Sequence, residues 1–99
     1  MPNVLFLLDT TEEIAWYASA YFELSDLKRE IETYFSAYYM ISTKPEKLAS
    51  ADFVILPEII RPFVKIPDEK TVITISANLF LSENFEQIKE IIDEHRLND

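Results

Sequence analysis

Three carboxylates, Asp9, Glu12 and Glu13, follow directly on the apolar run Val4-Leu5-Phe6-Leu7-Leu8. Grouped at a strand end, they suit a hard, oxygen-seeking ion such as Mg²⁺. The same residues also have a structural reading. Thr10 and Glu13 have the spacing of a capping box, in which a hydroxyl and a carboxylate each satisfy an orphan amide of a first helical turn. Both glutamates then sit at the positive end of the helix dipole. Structural carboxylates outnumber ligands, which favours the cap over the metal. His95 is the only histidine. It falls in the last turn of the final helical pattern, where a cation complements the dipole, and no Ser or Asp forms a recognisable catalytic arrangement with it. With no cysteine in the chain, thiolate nucleophiles, disulfides and thiolate zinc sites are excluded. Serines and threonines are scattered without a nucleophile elbow or phosphate-loop pattern. No catalytic residue and no cofactor is expected.

The elements that must position these groups alternate in type. Val4 to Leu8 is a short unbroken apolar run, as in a parallel strand buried on both faces. Ile14, Tyr17, Ala18, Tyr21, Leu24, Ile31 and Phe35 recur at three- and four-residue spacing, which predicts one helix from about residue 11 to 34. Trp16, Ala20, Leu27 and Tyr34 lie beside that stripe, so the helix is wider on its apolar side than one sheet contact needs, which suits either a subunit interface or cover by a crossing helix or the proline loop of the same domain. Glu12, Ser19, Asp26, Glu30 and Thr33 fall on the wet side. Residues 38–43 read as a second strand, residues 45–50 as a short helix begun by Pro45, and residues 52–56 as a third strand stopped by Pro57. Pro57, Pro62 and Pro67 allow at most one helical turn before the fourth strand, Thr71 to Ile75. Phe85, Ile88, Ile91, Ile92 and His95 predict a last amphipathic helix to about Arg96. The expected fold class is α/β: a single domain with a three-layer, four-stranded, parallel, doubly wound sheet.

Composition narrows the partners. Ninety-nine residues can bury one core. The net charge of −9, from 18 acids and 9 bases, repels phosphate backbones and anionic headgroups, so neither nucleic acid nor a membrane is an expected partner. The longest apolar runs fall far short of the roughly 20 residues of a spanning helix, and no basic segment precedes the first. Glycine is absent altogether. Turns must therefore be made by residues without free access to positive φ, and a loop that wraps a phosphate with bare backbone is not expected.

Three stretches, VLFLLD, LASADFVIL and VITISANLFLSENFEQIKEII, together give the chain a resemblance to the IIB component of sugar phosphotransferase systems, above all the lactose and cellobiose branch. The match covers nearly the whole chain as a pattern of elements. In that family a cysteine follows the first strand, and a loop of small residues holds the phosphoryl group. Here the cysteine position falls at Leu8 or Asp9, and the loop is Asp9-Thr10-Thr11-Glu12-Glu13. The resemblance thus implies a non-enzymatic, degenerate IIB-like domain. Such domains occur at the C-termini of phosphotransferase-linked transcription regulators, including the Mga-type virulence regulators, where they contribute to dimerisation.

From that resemblance a cytoplasmic regulatory domain is expected. Its partners would be a second copy, met through Trp16, Ala20, Leu27 and Tyr34 on the first-helix flank, and other domains of the same chain, which would carry DNA binding. The alternative is a receiver-like or IIB-like domain that binds a small ligand or metal phosphate at the strand C-termini with Asp9, Glu12 and Ser76. ADFVILPEIIRP and VITISA do echo the third and fourth strands of response-regulator receivers. Leu56-Pro57 stand where the receiver phosphoacceptor would be, and a fifth strand with its lysine is missing. Titration with Mg²⁺ and a phosphoryl donor separates the two readings: the alternative requires amide shifts at residues 8–13, and silence there removes it.

Overall fold

A computed structural model describes residues 3–8 and 24–98 of the chain. The elements are β1 (Asn3–Phe6), α1 (Leu24–Phe35), β2 (Met40–Ser42), a first 3-10 turn (Pro45–Ser50), β3 (Phe53–Pro57), a second 3-10 turn (Glu58–Phe63), β4 (Thr71–Ile75), α2 (Ala77–Leu81) and α3 (Phe85–Asn98). The strands form one sheet in the order β2-β1-β3-β4, and each neighbouring pair is parallel.

This order explains the layers. The step from β1 to β2 runs one way across the sheet, whereas the steps from β2 to β3 and from β3 to β4 run the other way. With a constant hand of crossover, α1 must lie on one face and both 3-10 turns on the opposite face. Burial divides accordingly. Val4, Phe6 and Leu8 pack with Ile55, Ile73 and Ile75 against Leu27, Ile31 and Phe35 of α1 and Ile88 and Ile92 of α3. Leu5, Leu7, Val54 and Leu56 point the other way and pack against Ala51, Ile60 and Val64. Successive side chains of a strand alternate between faces, so a strand covered on both sides must be apolar at every position. That is why VLFLL and FVIL read as unbroken runs.

The layer of 3-10 turns is thin because Pro45 opens the first turn, while Pro57 precedes the second and Pro62 lies within it. Its ends are pinned by polar contacts. Lys70 Nζ donates to the Ala49 and Ala51 carbonyls at 2.8 and 2.9 Å. The Asn3 amide donates to Asp52 Oδ2 at 2.9 Å, and the Asp52 amide returns a bond to the Asn3 carbonyl at 2.8 Å.

Several elements differ from the sequence expectation. β2 is shorter than residues 38–43, because the Tyr38 and Tyr39 amides both donate to the Phe35 carbonyl and so belong to the turn that ends α1. Leu27 does not lie beside the apolar stripe: it is 6% exposed and sits in the core. Leu27, Ile31 and Phe35 form one i, i+4 ridge, and that ridge is what meets the sheet. Glu30 is expected on the wet side, yet its Oε2 is buried with no hydrogen-bond partner among the described residues.

Residues 77–81 form the short helix α2, which apolar periodicity alone did not indicate. Its start is marked by Ser76, whose Oγ accepts from the Asn78 amide at 3.3 Å. Its end is a Schellman motif in which the Glu83 amide donates to the Phe80 carbonyl and the Asn84 amide to the Leu79 carbonyl. Glu83 occupies the left-handed position at φ 56°, the place usually held by glycine. Asn84 then caps α3, accepting from the Gln87 amide at 3.3 Å. A β-carbon in left-handed backbone costs about 1 kcal/mol. Glu83→Gly is therefore expected to stabilise the fold by up to about 1 kcal/mol, read as a higher denaturant midpoint with an unchanged m-value.

Candidate functional site

In an open parallel sheet, ligands collect outside the carboxyl ends of the strands, where the winding reverses. That switch point lies between β1 and β3. Around it, Leu7 and Leu8 are fully buried. Asp9, Glu12, Glu13, Trp16 and Ala20 lie outside the described residues. The polar groups described at this end hold elements in place. Buried Thr43, just after β2, donates through Oγ1 to Glu32 Oε1 of α1 at 2.8 Å, and Ser76 caps α2.

Among the described residues, the richest polar cluster stands at the other end of the sheet, before β2. Lys89, Asp93 and Arg96 are spaced by four and three residues, which puts them on one face of α3. That face meets Tyr38 and Tyr39 in the turn between α1 and β2. The Tyr39 ring is buried and stacks on Phe35, with centroids 6.2 Å apart. Its hydroxyl donates to Asp93 Oδ1 at 2.5 Å. Lys89 Nζ donates to Asp93 Oδ2 at 2.7 Å, and Arg96 Nη1 makes a longer contact of 3.4 Å with Oδ1. Both cations also lie over rings: Lys89 Nζ is 4.5 Å from the Tyr38 centroid, and the Arg96 guanidinium is 5.4 Å from that of Tyr39.

These contacts polarise the titrations. Burial pushes the Asp93 carboxyl up, but the hydrogen bonds from Lys89 and Tyr39 and the charges of Lys89 and Arg96 outweigh it and hold the group below its ordinary value. Burial, reinforced by the bond to Asp93, pushes the Tyr39 phenol far above its ordinary value of 10.0. The bond to Asp93 raises Lys89. Every shift leads away from neutrality, so the cluster is an ionic tie, poorly matched to moving protons near pH 7. It also borders an open recess of about 410 Å³ lined by Tyr38, Tyr39, Lys89, Asp93 and Arg96. A smaller recess of about 210 Å³ lies beside β2 and includes Met40, Ser42, Lys47 and Ser50 in its lining.

Of the four residues predicted to form an interface, Leu27 is used inside the core. Tyr34 is half-buried and contacts three rings of its own chain: Phe35, Phe85 and Tyr38, at centroid distances of 4.9, 5.5 and 5.8 Å. His95 is exposed near the C-terminal end of α3. Among the described residues, no group of three or more His, Asp or Glu is placed to hold a metal ion, and no helix is long and apolar enough to cross a membrane. Comparison with family models, with curated proteins and with solved structures found no significant match to this chain.

The cluster escaped the sequence reading although part of its signal was there. Lys89, Asp93 and Arg96 already show i, i+4 and i+3 pairing, but nothing local says that Tyr39, 54 positions earlier, meets them. Two substitutions test the tie. Tyr39→Phe keeps the buried ring and removes the donor, and Asp93→Asn keeps the shape and removes the charge. Each is expected to cost about 1 kcal/mol in denaturant unfolding at pH 7. The depressed Asp93 group contributes stability above the unfolded carboxyl value of 3.8, and this is lost as pH falls through the folded value; Asp93→Asn lacks that acid-limb loss. The raised Tyr39 group contributes stability that is complete below pH 10.0 and fades as pH rises beyond it. One of the five tyrosines should then ionise only on unfolding in a spectrophotometric titration.

Proposed function

We propose that the chain is a non-catalytic, IIB-like association module, serving as the C-terminal regulatory and dimerisation part of a bacterial phosphotransferase-linked transcription regulator of the Mga type. DNA binding would rest with other parts of the polypeptide, since a chain of net charge −9 is a poor match for a phosphate backbone. A four-stranded, all-parallel sheet flanked by helices is compatible with that reading.

The observation that carries association is the β2 edge of the sheet, left open among the described residues. Among the described residues β2 pairs only with β1, and it is three residues long. On and beside it, Met40 and Tyr38 are 58% and 44% exposed, two of the three exposed large hydrophobic side chains among the described residues. Isolated exposed apolar residues are ordinary, but here one opens an edge strand and the other lies in the turn just before it, and such an edge is one that proteins usually cover or charge. Tyr34 extends the same aromatic surface onto α1, toward the flank on which Trp16 and Ala20 were expected. The proposed interface is therefore Tyr34, Tyr38 and Met40 together with that flank, and Leu27 is no longer part of it.

Sedimentation velocity at high micromolar concentration is the test. A dimer is expected, and Met40→Lys or Tyr38→Glu should return it to a monomer while leaving the circular dichroism spectrum unchanged. A wild-type monomer whose sedimentation is indifferent to Trp16→Glu overturns the proposal.

A further inference from the structure

The recess bounded by Tyr38, Tyr39 and α3 carries an electrostatic surplus at odds with the rest of the chain. Lys89 and Arg96 supply two positive charges and Asp93 one negative charge, which leaves the recess net positive in a chain of −9. Asp93 already accepts from Tyr39, Lys89 and Arg96, so its oxygens leave little capacity for more donors. Among the described residues the cations are far from saturated. A guanidinium has five N–H donors and an ammonium three. Arg96 uses one on Asp93 at 3.4 Å, and Lys89 uses one at 2.7 Å. Both heads are held in place, by Asp93 on one side and by the faces of Tyr38 and Tyr39 on the other.

From this arrangement we infer that the recess is a binding site for a small ligand carrying an oxyanion on a flat, apolar body. The oxyanion bridges Arg96 and Lys89, and the body lies against the exposed ring of Tyr38. A cationic ligand would meet two like charges. A carboxylate or phosphoryl group matches the planar fork of Arg96 and forms charge-assisted bonds with it. A volume of about 410 Å³ is more than a bare oxyanion fills and lies in the range of small-molecule pockets, roughly 300–1,000 Å³. Tyr38, 44% exposed, offers a ring face or edge to a second ring. The site lies away from the carboxyl ends of the strands, and it shares Tyr38 with the proposed interface, so a dimer would compete with the ligand for that ring.

Amide-shift titrations at constant ionic strength with benzoate, phenyl phosphate and inorganic phosphate test it, run on the wild type and on Met40→Lys so that the result is read with or without a dimer. Benzoate or phenyl phosphate should give saturable shifts confined to residues 38–40 and 89–96. Tighter phenyl phosphate would point to a phosphoryl group as the natural oxyanion, and tighter benzoate to a carboxylate. Arg96→Gln, at an exposed position, should weaken the better ligand about tenfold with the melting curve retained, and Arg96→Lys should fall between because it keeps the charge and loses the fork. Shifts that never saturate, shifts that are equal in the wild type and Arg96→Gln, or inorganic phosphate binding as tightly as phenyl phosphate would each overturn the site.

Discussion

Both faces of the two central strands must be covered, and most of the architecture follows from that constraint. A single apolar run such as VLFLL can be buried at every position only if the chain lays material on both sides of the sheet. The reversal of winding after β2 does this: it sends α1 to one face and the two 3-10 turns to the other. The two coverings are unequal. Leu27, Ile31 and Phe35 of α1 cooperate with Ile88 and Ile92 of α3 on one face, whereas the other relies on Ala51, Ile60 and Val64 in short segments shaped by proline. On that thinner side, single polar contacts gain weight. Lys70, closing the two alanine carbonyls, is one of them.

α3 has a further task. It follows β4, at one edge of the sheet, yet its polar face reaches the turn that leads into β2, at the opposite edge. The Tyr39 hydroxyl joins the two through Asp93, and its ring continues the aromatic stack of Phe35 and Phe6. The tie thus couples a buried aromatic column to a half-exposed ionic group. An exposed Lys-Asp pair at i, i+4 is worth little by itself. Here the carboxylate is oriented by a donor rooted in the core, which removes part of the entropic cost of holding the pair. The same geometry leaves Lys89 and Arg96 with donors to spare beside an open recess, so a structural tie and a patch of local positive charge come from the same five residues.

The absence of glycine is met locally. Where α2 ends, a Schellman turn needs left-handed backbone, and Glu83 supplies it at a steric cost while Asn84 serves as the next helix's cap. Elsewhere, turns are handled without positive φ among the described residues, through Pro45, Pro57 and the bonds from Tyr38 and Tyr39 back to Phe35.

Strand identity was largely written in local chemistry. Thr71–Ile75 is found where its β-branched run predicts it, and the alternation of strands with helical segments was enough to imply a parallel α/β sheet. Periodicity over a few residues reports whether a segment is buried on one side or two, and that property survives without knowing its neighbours. Which side of a helix meets which element is a different matter. Leu27 moved from flank to core because the packing ridge is chosen by the sheet beneath it, and Asp93 found Tyr39 because the strand order brings together residues 54 positions apart. The sequence by itself determined the parallel α/β class, the acidic charge and the absence of thiol chemistry. Only the tertiary structure decided the edge strand, the Tyr39–Asp93 tie and the positive recess, since each depends on distances between segments that no local pattern encodes.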